Sequence, residues 1–159
     1  WNRYSSHPMT TLSRGYKSKT LATWIALLAG SLGLHRFYLH GFKDVLGWLH
    51  PWPTLLGLHG VLRMLAYGQD DRLSWVLIPL LGLMLAQSML FAILYGLTPD
   101  EQWNARFNPS GRQHRTGWAA VIGVIAALMV GAGVLMATIA FGMQRYFEVQ
   151  IEEARKISQ

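Results

Sequence analysis

An all-α membrane protein with about four transmembrane helices, a short interfacial helix in the third loop and a C-terminal helical extension is the fold this 159-residue sequence predicts. Three observations predict it. The chain is 52% hydrophobic and only 14% charged. Its charges are clustered, so that residues 20–35, 45–62, 73–99 and 116–144 carry none. The last two runs, 27 and 29 residues long, exceed the roughly 20 apolar residues that a helix needs to cross a bilayer core. Helices apolar all round belong in lipid or in a large core, and a chain this short has no such core, which disfavours a soluble bundle.

Taken in order, residues 1–19 form a basic arm with Arg3, Arg14, Lys17 and Lys19 and no acid, suited to an anionic cytoplasmic surface. The first span places small residues at Ala22, Ala26 and Gly30, a spacing of four that puts them on one helix face. It reads as a retained helix, because no small-x-small cleavage site follows Ala29. The opening at Trp1 instead of methionine suggests an encoded start further upstream. Pro51 and Pro53 interrupt the second span; each lacks an N–H and disfavours helix before it, so the membrane helix is expected to begin at or after Pro51 and run to Tyr67. Arg63 falls in its last turns, within snorkelling reach of the interface.

Gly68 to Arg72 is a polar connection, and Ser74 with Trp75 reads as a capped helix start with an interfacial ring. After the third span, Thr98-Pro99-Asp100-Glu101 reads as the cap and first turn of a short surface helix, with Trp103 and Phe107 on one face. The fourth span carries Ala119, Gly123, Ala127 and Gly131 at intervals of four, a stripe that suits helix packing and, in this reading, a partner interface. The tail at 144–159 continues as helix into water, with Phe147, Ile151 and Ala154 along one face.

Between the first two runs stands Gly30-Ser31-Leu32-Gly33-Leu34-His35-Arg36-Phe37-Tyr38-Leu39-His40-Gly41. Its glycines, cation and rings suit a turn at a membrane surface. Through Gly30, Gly33, His35, Arg36, Phe37, Tyr38 and Leu39 it resembles the TM2 domain family, whose two-helix membrane unit is marked by a Gly-x-x-Gly-x-His-Arg-Phe-Tyr-Leu-Gly turn. The resemblance covers roughly residues 17–65. It departs at His40, where the family has glycine, and in the acid-free run 45–62, where many members carry an acidic residue. It implies membrane residence and an interaction role without an assigned reaction. The domain reading is then a basic cytoplasmic arm (1–19), a TM2-like two-helix unit (20–67), a third span (68–99), a polar loop (100–116), a fourth span (117–143) and a cytoplasmic helical tail (144–159).

Candidate chemistry is sparse. No nucleotide-binding glycine loop, nucleophile elbow or His-Glu-x-x-His occurs, and the lack of cysteine excludes disulfides and thiolate sites. The net charge of +6 is spread over termini and loops, which does not favour nucleic acid. His35, His40, His50 and His59 could be imagined as haem ligands, but nine residues at 100° each put His50 and His59 on opposite faces of a continuous helix. The acidic pairs Asp70/Asp71 and Asp100/Glu101 border turns and read as solvated loop charge. The expectation is therefore a non-catalytic accessory, scaffolding or assembly subunit of a larger membrane complex or homo-oligomer. Its expected contacts are the bilayer and its lipids, other membrane subunits or its own copies, without a cofactor. A haem-binding redox subunit and a small transporter are the alternatives. Nine basic residues in the arm, the 63–72 loop and the tail, against five in the other two connections, favour a bacterial inner-membrane, multi-pass topology with both termini cytoplasmic.

Overall fold

The structure, a computed structural model, describes residues 15–159. Among these residues it is wholly helical: α1 (Lys19–Ala29), a 3-10 turn (Gly30–Leu32), α2 (Leu34–His40), α3 (Val45–Leu49), α4 (Pro51–Tyr67), α5 (Arg72–Leu97), α6 (Asp100–Phe107) and α7 (Trp118–Ile157). Local chemistry sets the boundaries. The Ser18 hydroxyl accepts the Leu21 N–H at the start of α1, and Pro51 and Pro53 fall in the first turn of α4, where a missing N–H does least harm. Asp71 caps α5 by accepting the Ser74 N–H, so the cap is Asp71 and not the expected Ser74. Thr98 donates its hydroxyl to Leu94 O and closes α5 instead of capping the helix after it.

The bundle is organised along α5. Lys19 meets Thr98, Thr23 lies by Gly96, and Gly30 approaches Ser88 so closely that an added Cβ would come within 2.6 Å of the Ser88 Cβ. Further on, Gly57 faces Leu81, Gly60 faces Leu77, and Arg63 reaches Asp71. Rising numbers in α1 and then α4 thus pair with falling numbers in α5, and the two helices lie end to end as one discontinuous antiparallel neighbour. At 1.5 Å per residue α1 is about 16 Å long, α4 about 26 Å and α5 about 39 Å. The segment between them, residues 30–50, leaves this line and returns to it. On the other side of α5, α7 is also antiparallel: Val124 lies at Gly96, Gly131 at Met89 and Thr138 at Gly82, while Phe141 stacks on Trp75 at 4.3 Å.

Two helices, α5 and α7, are long and apolar enough to cross a membrane. The other two of the four expected spans are shorter helices, α1 with 11 residues and α4 with 17, the first below and the second at the lower end of the length that crosses a bilayer, and they divide the length of α5 between them. A second expectation is corrected by the same register. Lys19 sits at the α6 end of the bundle, whereas α7 begins at that end and carries residues beyond Arg145 away from the other. The arm's point of attachment and the helical tail therefore lie at opposite ends, because three antiparallel passes, not four, separate them. The arm itself lies outside the described residues up to position 14.

Candidate functional site

Residues 30–50 fold into a small hairpin against the α6 half of the bundle. Gly33 turns the chain at φ 80°, and it packs against the Gly47 carbonyl, leaving no space for a side chain. Gly47 in turn lies under the Phe37 ring, whose Cε1 would stand 2.6 Å from an added Cβ. Phe37 also stacks with Phe42 and tilts against Trp48. Arg36 Nε donates to Asp44 Oδ2 at 2.6 Å and ties the two arms of the hairpin together. The Arg36 hydrogen bond holds the Asp44 carboxyl below its usual range, against an opposing effect of burial.

The glycine turn does not lie at an end of the bundle. Gly30 contacts Ser88, about 14 Å along α5 from its end at Leu97, so the turn lies in the middle of the bundle and only the hairpin tip reaches the α6 end. His35 is fully buried there, in edge contact with His50 at 5.5 Å between ring centroids and flanked by Phe91 and Tyr95. Neither ring nitrogen of His35, nor Nε2 of His50, has a hydrogen-bond partner among the described residues. The other two histidines go elsewhere: His40 is exposed beside Phe107 and His59 is exposed on α4. The four candidate haem ligands therefore do not converge. The two that meet, His35 and His50, have Gly30, Gly33 and Phe91 packed against them where a macrocycle would need a flat slot.

At the α6 end a polar clasp joins four separate segments. Lys19, only 2% exposed, donates from Nζ to Thr98 O and to Asp100 Oδ1, both at 2.7 Å. Asp100 also accepts the Thr116 N–H and hydroxyl. Burial pushes the Asp100 carboxyl up, but the hydrogen bonds from Lys19 and Thr116 outweigh it and hold the group well below the usual carboxylate range. Trp103, 1% exposed, donates its indole N–H to Lys17 O at 3.0 Å. Asn108 receives the Lys17 N–H and donates to the Lys17 carbonyl. Tyr38 accepts the Ser18 N–H at 2.8 Å, and Asn104 brackets His114 through its backbone N–H and C=O. Tyr38 thus anchors the hairpin to the start of α1, and the short helix expected here, α6, keeps Glu101, Gln102, Ala105 and Arg106 exposed while its Trp103 and Asn104 are buried.

The small-residue stripe of α7 is spent inside the chain. Gly123 packs on Thr23 and Trp24, Gly131 on Met89, and Ala127 is buried with Ala26, Met89 and Ala92. Ala119 is exposed, its carbonyl accepting the Trp24 indole N–H, and Ala120 takes the buried position instead. The stripe is therefore not available as a partner interface. Sequence reasoning also misses Lys19 and Asp100, which read as solvated arm and loop charge. The usable signal was Asn104 and Asn108, spaced four apart beside Trp103 and Phe107, which marks a helix with a polar face to bury. Comparison with protein-family models, with curated proteins and with solved structures finds no match for the chain.

Proposed function

We propose that the chain is a non-catalytic integral membrane protein, an accessory or assembly subunit of a larger membrane complex or homo-oligomer in a bacterial inner membrane. The observation that carries this reading is α7 beyond its last packed position. Past Arg145, which lies over the Trp75 ring, the helix continues to Ile157, about 18 Å further, and presents Phe147 and Ile151, each 54% exposed. An apolar face on a projecting helix is a docking element for another helix. Membrane residence rests on α5 and α7 as crossings, with α1 and α4 as the two halves of a third in which the TM2-like turn is the break.

Charge then suggests an orientation. The α6 end holds Lys17, Lys19, Arg36, Lys43, Arg106, Arg112 and Arg115 with three acids, Asp44, Asp100 and Glu101. The opposite end holds Arg63, Arg72, Arg145, Arg155 and Lys156 with five acids, Asp70, Asp71, Glu148, Glu152 and Glu153. The positive-inside rule puts the α6 end in the cytoplasm and the tail outside it. The test is purification in mild detergent of the wild type and of a Phe147→Glu, Ile151→Glu variant. Loss of co-purifying subunits, or a shift to monomer, is expected for the variant; an unchanged assembly overturns the docking reading. A small transporter is the second reading, favoured by one observation: α1 and α4 form a discontinuous helix, the element at which transporters commonly build substrate and ion sites, and His35 is buried against His50 at its break. Proton flux into proteoliposomes, abolished by His35→Phe, would support it over the first.

A further inference from the structure

Between the hairpin tip and α6 the surface opens into two adjoining cavities, of about 600 and 350 Å³, that share Leu39, His40, Arg106 and Phe107. The outer one adds Lys17, so that an ammonium, an imidazole and a guanidinium line it, with no carboxylate among its described lining residues. The inner one continues along α5 past Phe91, Leu94 and Tyr95 to Trp103, and is walled largely by rings and aliphatic groups. Arg36 also borders it but is already paired with Asp44.

We infer that this cleft binds the phosphate of an anionic glycerophospholipid, headgroup in the outer cavity and acyl chain entering the inner one. This rests on the membrane placement proposed above. Phosphate is the chemistry that three convergent cationic or N–H donors select. The apolar continuation is what distinguishes a lipid from a free phosphate ester, which would leave that surface uncovered. The site is also preorganised: three hydrogen bonds with Trp103 of α6 and with Asn108 just after it fix the Lys17 backbone, and its ammonium lies 4.8 Å from the centre of the Tyr38 ring. General attraction of basic residues to an anionic surface would show no dependence on this cleft. It would act equally through Arg155 and Lys156 if these faced the same lipids.

Native mass spectrometry of the purified protein, delipidated and then offered phosphatidylglycerol or phosphatidylcholine, tests the assignment. Retention of phosphatidylglycerol should fall about tenfold or more in Lys17→Gln, Arg106→Gln, as expected from losing charge-assisted hydrogen bonds. It should be unchanged in Arg155→Gln, Lys156→Gln. A Leu94→Trp variant, which fills the inner cavity while leaving every cation in place, should weaken lipid retention as well. Glycerol 3-phosphate, offered alone, should not protect the protein against thermal unfolding; equal protection would overturn the lipid in favour of a small phosphate ester. Wild-type retention by the double glutamine variant would overturn the site. Failure of the membrane placement is read separately, as release of the wild type from membranes by alkaline carbonate without detergent.

Discussion

Asp100→Asn removes the counter-charge of an ammonium that is 2% exposed and that has only Thr98 O as its other hydrogen-bond acceptor among the described residues. Breaking a fully buried pair by deleting one partner costs about 3–5 kcal/mol, because the remaining charge stays in a poor solvent. Asp100 is 37% exposed, so water takes over part of its role, and the expected loss is about 2–3 kcal/mol. Lys19→Met deletes the buried charge itself and leaves Asp100 hydrated and bonded to Thr116, which limits the loss to about 1 kcal/mol. The double variant should then resemble Lys19→Met alone, a coupling of about 2–3 kcal/mol. Equilibrium unfolding in detergent micelles, read by tryptophan fluorescence, measures all three. Losses that simply add, or an Asp100→Asn protein as stable as the wild type, would refute the claim that the carboxylate holds the lysine. The pH dependence has a defined sign. The folded pKa of Asp100 lies below its ordinary 3.8, so its contribution is complete above that value and is lost as pH falls below it toward the folded pKa.

Three further outcomes follow from the same geometry. Burial lowers the His114 pKa from 6.5, with Asp100 opposing and Lys19 assisting; its stabilising share is complete above pH 6.5 and declines as pH drops below it, a slope that His114→Gln should remove from a pH series of unfolding midpoints. Gly57→Ala drives a methyl into Leu81 backbone and should destabilise by about 1–3 kcal/mol, whereas Gly133→Ala, with open space around it, should stabilise by about 0.5–1 kcal/mol. Cysteines placed at Ser110 and Ser158 and treated with an impermeant thiol reagent in spheroplasts should label at 158 alone; equal labelling of both would contradict their placement on opposite sides.

Helix type and extent were readable because they depend on local signals. The uncharged runs of 27 and 29 residues became α5 and α7, the proline pair opened α4, and the tail stayed helical to Ile157. What the runs could not reveal is how many of them cross. An apolar run of 16 or 18 residues is compatible with a short span or with half of one, and the choice is made by register against α5, a long-range property. The clasp was hidden for a related reason. Lys19, Asp100 and Thr116 come together only once α1, α6 and the loop before α7 meet, and each alone has the appearance of a surface residue. The stripe on α7 correctly marked a packing face, but spacing cannot say whether the partner is another chain or, as here, Thr23 and Met89 of the same one.

The break between α1 and α4 also accounts for residues that otherwise look misplaced in an apolar run. A helix that begins in the middle of a bundle exposes up to four N–H groups with no intrahelical partner, in a place where water is scarce. The first four residues of α4 are Pro51, Trp52, Pro53 and Thr54, and two of these have no N–H to satisfy. The Thr54 hydroxyl donates to Ser31 O at 2.6 Å, at the end of the first half-helix, so one side chain of the second half satisfies a carbonyl left open by the first. Gly33, at positive φ against Gly47, lets the chain leave and return in the same small volume. Pro51→Ala with Pro53→Ala would restore two N–H groups at this point and ease continuation of helix from α3. The double variant should therefore loosen the His35–His50 contact without preventing insertion, a change readable as faster exchange of backbone amides in residues 30–50 and as an unaltered membrane fraction. Unchanged exchange there would mean that the prolines do not hold the break, and that the glycine turn alone does.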